Sequence, residues 1–202
     1  MIEHILLDMG GVLIDLQWQD RVGKLLGRSL PIDELHHLWV SAPSTVDFES
    51  GRTDFDQFTA AFIQDFDLAL TPEMVQHEFL EIVQAPLPGC EVMLSALKPQ
   101  YHLSLLSNTN PAHFGKLRDR YDFFEALDRL FLSYEIGLMK PSPTIFEHVL
   151  AELDTTPEHV AFFDDGARNV ESAKALGIQA YRVDSPAEIM TIVKTFSEAS
   201  TT

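Results

Sequence analysis

The feature that most constrains this chain is a set of short apolar runs, each ending in or next to a small or polar residue. The runs are HILLD (4–8), HLSLLSN (102–108), RLFLS (129–133), VAFFDD (160–165) and IQAYRV (178–183). Continuous apolar runs of this length are typical of strands buried on both faces, as in parallel sheets. Helical patterns separate most of them. The alternation predicts an α/β fold: a Rossmann-like three-layer α/β/α core around a parallel sheet.

Helix start and stop signals support this interpretation. Asn110 and Ser142 stand where N-caps are expected, and each is followed by a proline at the first helical position. A third helix is predicted in GARNVESAKALGI, and it ends at Gly177. Asp15, in VLID, is interpreted as the N-cap of the helix that follows it.

Residues 16–85 follow a different pattern. Four amphipathic helical segments occur there without a predicted strand between them, and APLPGC (85–90) punctuates the return to the α/β pattern. We therefore predict a core domain formed by residues 1–15 and 86–202, with a helical-bundle cap formed by residues 16–85. An insertion after the first strand lies over the carboxyl end of the sheet, where open α/β sheets bind ligands.

Composition narrows the possible partners. The 202 residues carry 14 basic and 31 acidic side chains, giving a formal net charge of −17. A surface this negative repels nucleic acid and anionic lipid, so neither is an expected partner. An anionic substrate would need a local metal ion or lysine. The single cysteine, Cys90, cannot form an internal disulfide, and no signal peptide or membrane span is apparent, so a cytoplasmic location is expected.

Polar residues that could take part in catalysis or ligand binding lie at the ends of several predicted strands or in the loops after them. Each of them alone fits a turn, a helix cap or a solvated side chain equally well. Their order along the chain, however, brings them to one edge of the sheet. They are Asp8, Ser107, Asn108, Lys140, Asp164 and Asp165.

This set of groups suits the attack of a carboxylate on a phosphate. The two anions repel each other, and a Mg²⁺ ion held by oxygen ligands cancels that repulsion. Lys140 supplies a second positive charge, while Ser107 and the start of the helix after Asn108 donate hydrogen bonds to phosphoryl oxygens. An aspartate can then form an acyl phosphate that water hydrolyses.

Four ordered motifs resemble those of the haloacid dehalogenase superfamily with a type 1 cap. They are LLDMGGVLID, LLSNTN, GLMKPSPTIF and FFDDGARNVESAKALG, and FESGRTDFDQF (48–58) resembles a cap segment of the same group. The paired acids Asp164 and Asp165 and the segment LSNTN resemble the corresponding motifs of a phosphatase branch that includes α-D-glucose-1-phosphate phosphatase. The resemblance implies a magnesium-dependent phosphatase that acts on a small phosphorylated metabolite.

The resemblance also implies roles for individual residues. Asp8 would be the nucleophile and a magnesium ligand, with the backbone carbonyl of Gly10 and the carboxylate of Asp165 as further ligands. Asp164 would accompany the metal-binding acid, and Asn169 would support it.

For the phosphoryl group, the resemblance implies binding by Ser107, Asn108 and Lys140. Lys140 would also restrain the carboxylate of Asp8 and so share in catalysis.

Position 10 departs from the family pattern, because most phosphatases of the superfamily have an aspartate there as general acid and base. Three interpretations follow. The first is a phosphatase whose leaving group needs little help, with a hexose 1-phosphate as one candidate substrate and water or Asp164 as the proton source. The second is a 2-haloacid dehalogenase, which needs neither proton nor metal. The third is a phosphate-binding or regulatory module without turnover. The oligomeric state stays open.

The cap offers candidates for substrate selection: Trp18, Arg21, Trp39, Glu49 and Arg52. The spacing of the two tryptophans also fits the core of the helical bundle, which is the favoured interpretation. Arg52 is interpreted as a solvated loop residue.

Overall fold

The computed structural model describes residues 1–199, apart from the side chains of Asp33 and of residues 197–199. Residues 200–202, the end of the predicted core domain, lie outside the described residues. The described residues form seven strands: β1 (His4–Leu7), β2 (Ile14–Leu16), β3 (Val83–Pro86), β4 (His102–Ser107), β5 (Arg129–Leu132), β6 (Val160–Asp164) and β7 (Gln179–Arg182).

Five of these strands form one parallel sheet in the order β5-β4-β1-β6-β7. In its register, Leu7 of β1 lies opposite Leu105 of β4 and Phe163 of β6. The residues that follow these positions therefore emerge together at the carboxyl edge of the sheet. The chain passes from β1 to β4 on one side and later to β6 on the other, so β1 lies at the switch point where such sheets bind ligands.

Helices cover both faces of the sheet, as predicted. One face packs on α6 (Cys90–Leu97), α7 (Pro111–Arg118) and α11 (Pro186–Ala199), and the other on α9 (Pro143–Glu152) and α10 (Ala167–Ala175). The alternation along β1 explains the arrangement: Ile5 and Leu7 enter the first apolar cluster, and Leu6 enters the second. The three-layer α/β/α architecture is confirmed.

Residues 18–80 form five helices: α1 (Trp18–Leu25), α2 (Ile32–Ser41), α3 (Pro43–Glu49), α4 (Phe55–Asp65) and α5 (Pro72–Leu80). They share an apolar cluster of their own, rich in stacked aromatic rings such as Phe48, Phe58 and Phe79. Amphipathic helices need such a shared interior because each buries only one stripe. We refer to this group as the cap helices. No helix of the described residues is long and apolar enough to cross a membrane.

The structure differs from the prediction at both ends of the inserted segment. Strands β2 and β3 pair there as an antiparallel ribbon, with Ile14 opposite Pro86 and Leu16 opposite Val83. Asp15 lies within β2 and is exposed, and α1 begins at Trp18, so the N-cap interpretation of Asp15 is wrong. The pairing keeps its backbone extended. The domain boundaries at 15/16 and 85/86 stay a prediction.

The predicted helix ends have mixed outcomes. Asn110 caps α7 as predicted, because its side chain accepts a hydrogen bond from the backbone N–H of His113 at 2.9 Å. Ser142 occupies the N-cap position of α9, but its hydroxyl bonds to Thr144 Oγ1 and caps nothing. Gly177 follows α10 with a φ of +90°, a left-handed conformation that suits glycine at the end of a helix.

Candidate active site

The predicted site residues meet at the carboxyl edge of the sheet. Asp8 follows β1, Ser107 ends β4, and Asp164 ends β6. Lys140 lies in the loop between the short helix α8 (Ser133–Ile136) and α9. Its buried ammonium joins the strands, since Nζ lies 2.8 Å from Asp8 Oδ1, 2.6 Å from Asp164 Oδ2 and 2.9 Å from the carbonyl oxygen of Leu106.

Lys140 stays protonated in this setting. Burial alone would lower the pKa of its ammonium, but the charges of Asp164 and Asp8 outweigh it and raise that pKa. A permanently charged ammonium beside the predicted nucleophile is suited to hold a phosphoryl oxygen.

Asp164 is completely buried, and both of its carboxylate oxygens are engaged. Oδ2 accepts from Lys140, while Oδ1 accepts from the backbone N–H of Gly166 at 2.8 Å and from Asn169 Nδ2 at 2.9 Å. Asp164 therefore orients Lys140 and fixes the start of α10. Asn169 acts on the same carboxylate, so it supports the site through Asp164.

Asp8 is also buried, but one of its oxygens remains available. Oδ1 accepts from the N–H of Met9 at 2.7 Å and from Lys140, whereas Oδ2 accepts no hydrogen bond from the described residues. Burial raises the pKa of Asp8 to about 7; Lys140 opposes this shift, and Asp164 and Asp165 add to it. Burial therefore disfavours the ionised form of Asp8, and a nearby cation would favour that form.

The oxygen donors at this edge fit a magnesium ion. Asp8, Asp164 and Asp165 each offer a carboxylate oxygen within 4.8 Å of the others. Within residues 1–199, the carbonyl oxygen of Gly10 accepts no hydrogen bond, so it is a further oxygen atom available as a metal ligand. Hard oxygen ligands of this kind are those that Mg²⁺ prefers. Because both oxygens of Asp164 are already engaged, Asp8, Asp165 and Gly10 are the better candidates as ligands.

Gly11 is a contributor that the sequence interpretation missed. It has a φ of +72°, and a Cβ added there would lie 2.6 Å from Asp165 Oδ2. A side chain at position 11 would therefore displace the carboxylate of Asp165. The GG pair after Asp8 was the available signal, since glycine marks both left-handed backbone and close approach.

Asn108 and Ser107 differ in how free their side chains are. Both polar atoms of the Asn108 amide are engaged, because Nδ2 donates to the carbonyl of Lys140 and Oδ1 accepts from its N–H, both at 2.8 Å. Asn108 thereby fixes the main chain of Lys140. Among the side chains and backbone that the structure describes, the Ser107 hydroxyl has one weak contact, 3.5 Å to the carbonyl of Asn108, so it can donate to a ligand.

Most of the residues considered for substrate selection pack against or pair with other residues of the cap helices. Trp18 and Trp39 pack in the aromatic cluster of the cap helices, as favoured from their spacing. Arg21 pairs with Glu78 at 2.9 Å, and the exposed Arg52 pairs with Asp47. Glu49 accepts a hydrogen bond from Trp39 Nε1 at 3.1 Å.

Comparison with known proteins shows which family has a similar sequence. Residues 2–177 match the model of the haloacid dehalogenase-like hydrolases. The chain is 27% identical to D-ribitol-5-phosphate phosphatase of Bacteroides thetaiotaomicron, over 93% of this chain and 95% of the relative. It is 26% identical to a phosphorylated carbohydrates phosphatase of Thermotoga maritima, over 88% of this chain and 83% of the relative.

A solved structure shares the fold. A haloacid dehalogenase family enzyme of Bacteroides thetaiotaomicron, crystallised with magnesium and inorganic phosphate, superimposes with a TM-score of 0.76 at 24% identity, covering 90% of this chain and 94% of the other. The predicted fold, the hydrolase class and the resemblance to the haloacid dehalogenase superfamily are confirmed, whereas the α-D-glucose-1-phosphate phosphatase branch stays a prediction. The chain belongs to the haloacid dehalogenase-like hydrolase family.

Proposed function

We propose that this protein is a Mg²⁺-dependent phosphatase that hydrolyses a small phosphomonoester through a phospho-aspartyl intermediate on Asp8. The observation that carries the proposal is the buried ammonium of Lys140, held between Asp8 and Asp164 beside a free carboxylate oxygen. The relatives named as phosphatases of ribitol phosphate and of phosphorylated carbohydrates support it. Phosphatases of this family use Mg²⁺.

The described residues divide the work of the reaction. Asp8, Asp165 and the carbonyl of Gly10 would hold the Mg²⁺ ion, which neutralises charge between carboxylate and phosphate. Lys140 and Ser107 would bind the phosphoryl oxygens, and the Asn108 amide keeps Lys140 in position.

The chemical steps begin at Asp8. An Asp8 oxygen forms a bond to phosphorus while the ester O–P bond breaks, and the leaving oxygen takes a proton. Water then cleaves the acyl phosphate, releasing inorganic phosphate and restoring the carboxylate of Asp8.

Gly10 affects which esters react fast, because glycine has no carboxyl group that could protonate the leaving oxygen. Asp164 is a poor replacement, since both of its oxygens already accept hydrogen bonds. The proton would come from water, which favours leaving groups that are themselves acidic. An anomeric hydroxyl is more acidic than an ordinary alcohol, so a hexose 1-phosphate is one candidate substrate.

The test is release of inorganic phosphate from D-glucose 1-phosphate, D-ribitol 5-phosphate and p-nitrophenyl phosphate, with Mg²⁺ or with a chelator. We expect Mg²⁺-dependent release that falls at least about 10³-fold in Asp8→Asn, because the nucleophile is lost. Asp15→Asn, the same change at an exposed position of β2, is the control and should keep full activity.

Other outcomes point to the alternatives. Turnover by Asp8→Asn at the wild-type rate would contradict the proposal. Binding of these esters without phosphate release would indicate a binding module, the alternative suggested by the missing acid at position 10. Chloride release from 2-chloropropionate in the presence of the chelator would indicate a dehalogenase.

A further inference from the structure

Lys140 lies inside a tight turn at the carboxyl edge of the sheet. The N–H of Ser142 donates to the carbonyl oxygen of Met139 at 3.0 Å, which closes a four-residue turn with Lys140 and Pro141 at its centre. We call these four residues the lysine turn. The Lys140 side chain is buried and reaches the predicted nucleophile, so the position of the turn determines where the ammonium lies.

The two central residues of the lysine turn have three backbone polar groups between them, because proline has no N–H. Two of the groups belong to Lys140: its carbonyl accepts from Asn108 Nδ2 and its N–H donates to Asn108 Oδ1, both at 2.8 Å. The third group is the carbonyl of Pro141, which accepts from Ser172 Oγ at 2.6 Å. Two side chains, those of Asn108 and Ser172, therefore satisfy all three groups.

Ser172 reaches the lysine turn from α10, the helix that also fixes the ammonium. Asn169, three residues earlier on α10, donates to Asp164 Oδ1, and Asp164 Oδ2 accepts from Lys140 Nζ. Residues three apart lie on the same side of a helix. One side of α10 therefore holds Lys140 at two points, its ammonium through Asp164 and its main chain through Pro141.

The carbonyl of Pro141 depends on Ser172. In the part of the chain that the structure describes, this carbonyl accepts no other hydrogen bond. Pro141 is half-buried, and a partly buried carbonyl that loses its donor is unfavourable, so the turn would shift toward another donor or toward water. Because Pro141 directly follows Lys140 in the chain, such a shift moves the Cα from which the ammonium extends.

We propose that Ser172 is a positioning residue of the active site and acts through Lys140: its hydroxyl holds the lysine turn so that the ammonium meets the phosphoryl group. The inference rests on the proposed function and deepens it, and it assigns Ser172 no contact with the substrate. A misplacement of about 1 Å can cost about 10²-fold in rate. Removing the hydroxyl should therefore weaken phosphate binding and slow turnover, while the oxygens that would hold Mg²⁺ keep their places.

Binding of inorganic phosphate tests the inference without turnover. The full-length protein is titrated calorimetrically with magnesium chloride, and the Mg²⁺-loaded protein is then titrated with inorganic phosphate. In Ser172→Ala we expect the dissociation constant for phosphate to rise at least about fivefold and that for Mg²⁺ to change less than about twofold. A disturbed fold would weaken the binding of both ligands, so the difference between them identifies a displaced ammonium.

Two further variants complete the experiment. Ser172→Thr keeps the hydroxyl and should retain the phosphate affinity of wild type, whereas kcat for p-nitrophenyl phosphate should fall at least about tenfold in Ser172→Ala. Thr59→Val is the matched control, because the Thr59 hydroxyl donates to the carbonyl of Phe55 at the same 2.6 Å, within the cap helix α4. It should leave both affinities and kcat unchanged, and circular dichroism checks the fold of each variant.

Three results would overturn the inference: wild-type phosphate affinity in Ser172→Ala, an equal loss in Ser172→Ala and Ser172→Thr, or a parallel loss of Mg²⁺ affinity. Failure of the proposed function is recognised separately. If wild type binds phosphate but releases none from any ester, the catalytic proposal fails, and the phosphate affinities of the variants still decide the role of Ser172. If wild type neither binds phosphate nor hydrolyses any ester, both fail.

Discussion

The two glycines after Asp8 have different physical reasons to be there. Gly11 has a left-handed φ and lies against Asp165, so a side chain at this position would disturb the carboxylate edge. Gly10 has no such backbone constraint. The three atoms nearest to a Cβ at position 10 would all belong to the Leu16 side chain, and the one at 2.8 Å, Cδ1, is the far end of that flexible side chain. An aspartate can therefore be accommodated at position 10 by a small movement of Leu16.

We predict that Gly10→Asp raises kcat/KM for esters with poor leaving groups, because a positioned acid then protonates the leaving oxygen. General acid catalysis contributes typically about 10²–10⁴-fold, and an unoptimised acid should supply about tenfold or more. The measurement is kcat/KM for D-ribitol 5-phosphate relative to p-nitrophenyl phosphate, whose leaving group needs no proton. Gly10→Ala adds the same Cβ without the acid and should leave this ratio unchanged. An equal gain in both variants would contradict the proton-transfer explanation.

At the scale of secondary-structure elements, the sequence predicted those elements whose pattern lies within their own residues. The central strands β1, β4 and β6 were visible because burial on both faces makes each of them a nearly continuous apolar run, whereas the edge strands β5 and β7 are buried only in part. Strands β2 and β3 were missed because Asp15 and Gln84 interrupt any apolar run there and because their pairing joins positions about 70 residues apart in the chain. Asp15 was misinterpreted for the same reason, since its extended backbone depends on that distant partner.

The same contrast holds within the site. The positions of Asp8, Ser107 and Asp164 follow from strand ends and from the register of the sheet. The engagement of the Asn108 amide with the backbone of Lys140 depends on contact between two separate loops. No sequence period encodes such a contact.

Lys116 connects α7 to the end of α5, the last of the cap helices, and to the start of β3. Its ammonium lies 2.6 Å from the carbonyl oxygen of Leu80, 3.3 Å from that of Val83 and 3.0 Å from Glu81 Oε1. The Leu80 and Glu81 contacts place a positive charge at the end of α5, where the helix dipole favours it.

We predict that Lys116→Met lowers the free energy of unfolding by about 1–3 kcal/mol, because charged hydrogen bonds to partly buried carbonyl groups are lost. Chemical denaturation measures the change. Lys98→Met is the matched control: Lys98 pairs with Asp128 at an exposed position, so its loss should cost less than about 1 kcal/mol. Equal losses in the two variants would show that Lys116 contributes no more than a surface ion pair.

At the scale of the whole molecule, the charge distribution works against folding. The net charge of −17 makes the compact state repel itself, and three carboxylates are gathered at one edge with one ammonium among them. Two effects of Mg²⁺ are therefore expected to stabilise the protein. General screening acts on the whole surface, whereas binding at the carboxylates acts on one site.

Comparison of salts separates the two effects. At about 100 times its dissociation constant, a ligand that binds only the folded state adds roughly 2.7 kcal/mol of stability. For a chain of this size we predict a rise of about 5–10 °C in the thermal midpoint over NaCl of equal ionic strength. Asp165→Asn should remove most of this difference, because it deletes a carboxylate of the predicted ligand set. Asp184→Asn, at an exposed position beyond β7, should keep it. A shift that NaCl reproduces in full would mean that screening alone acts and that these oxygens hold no magnesium.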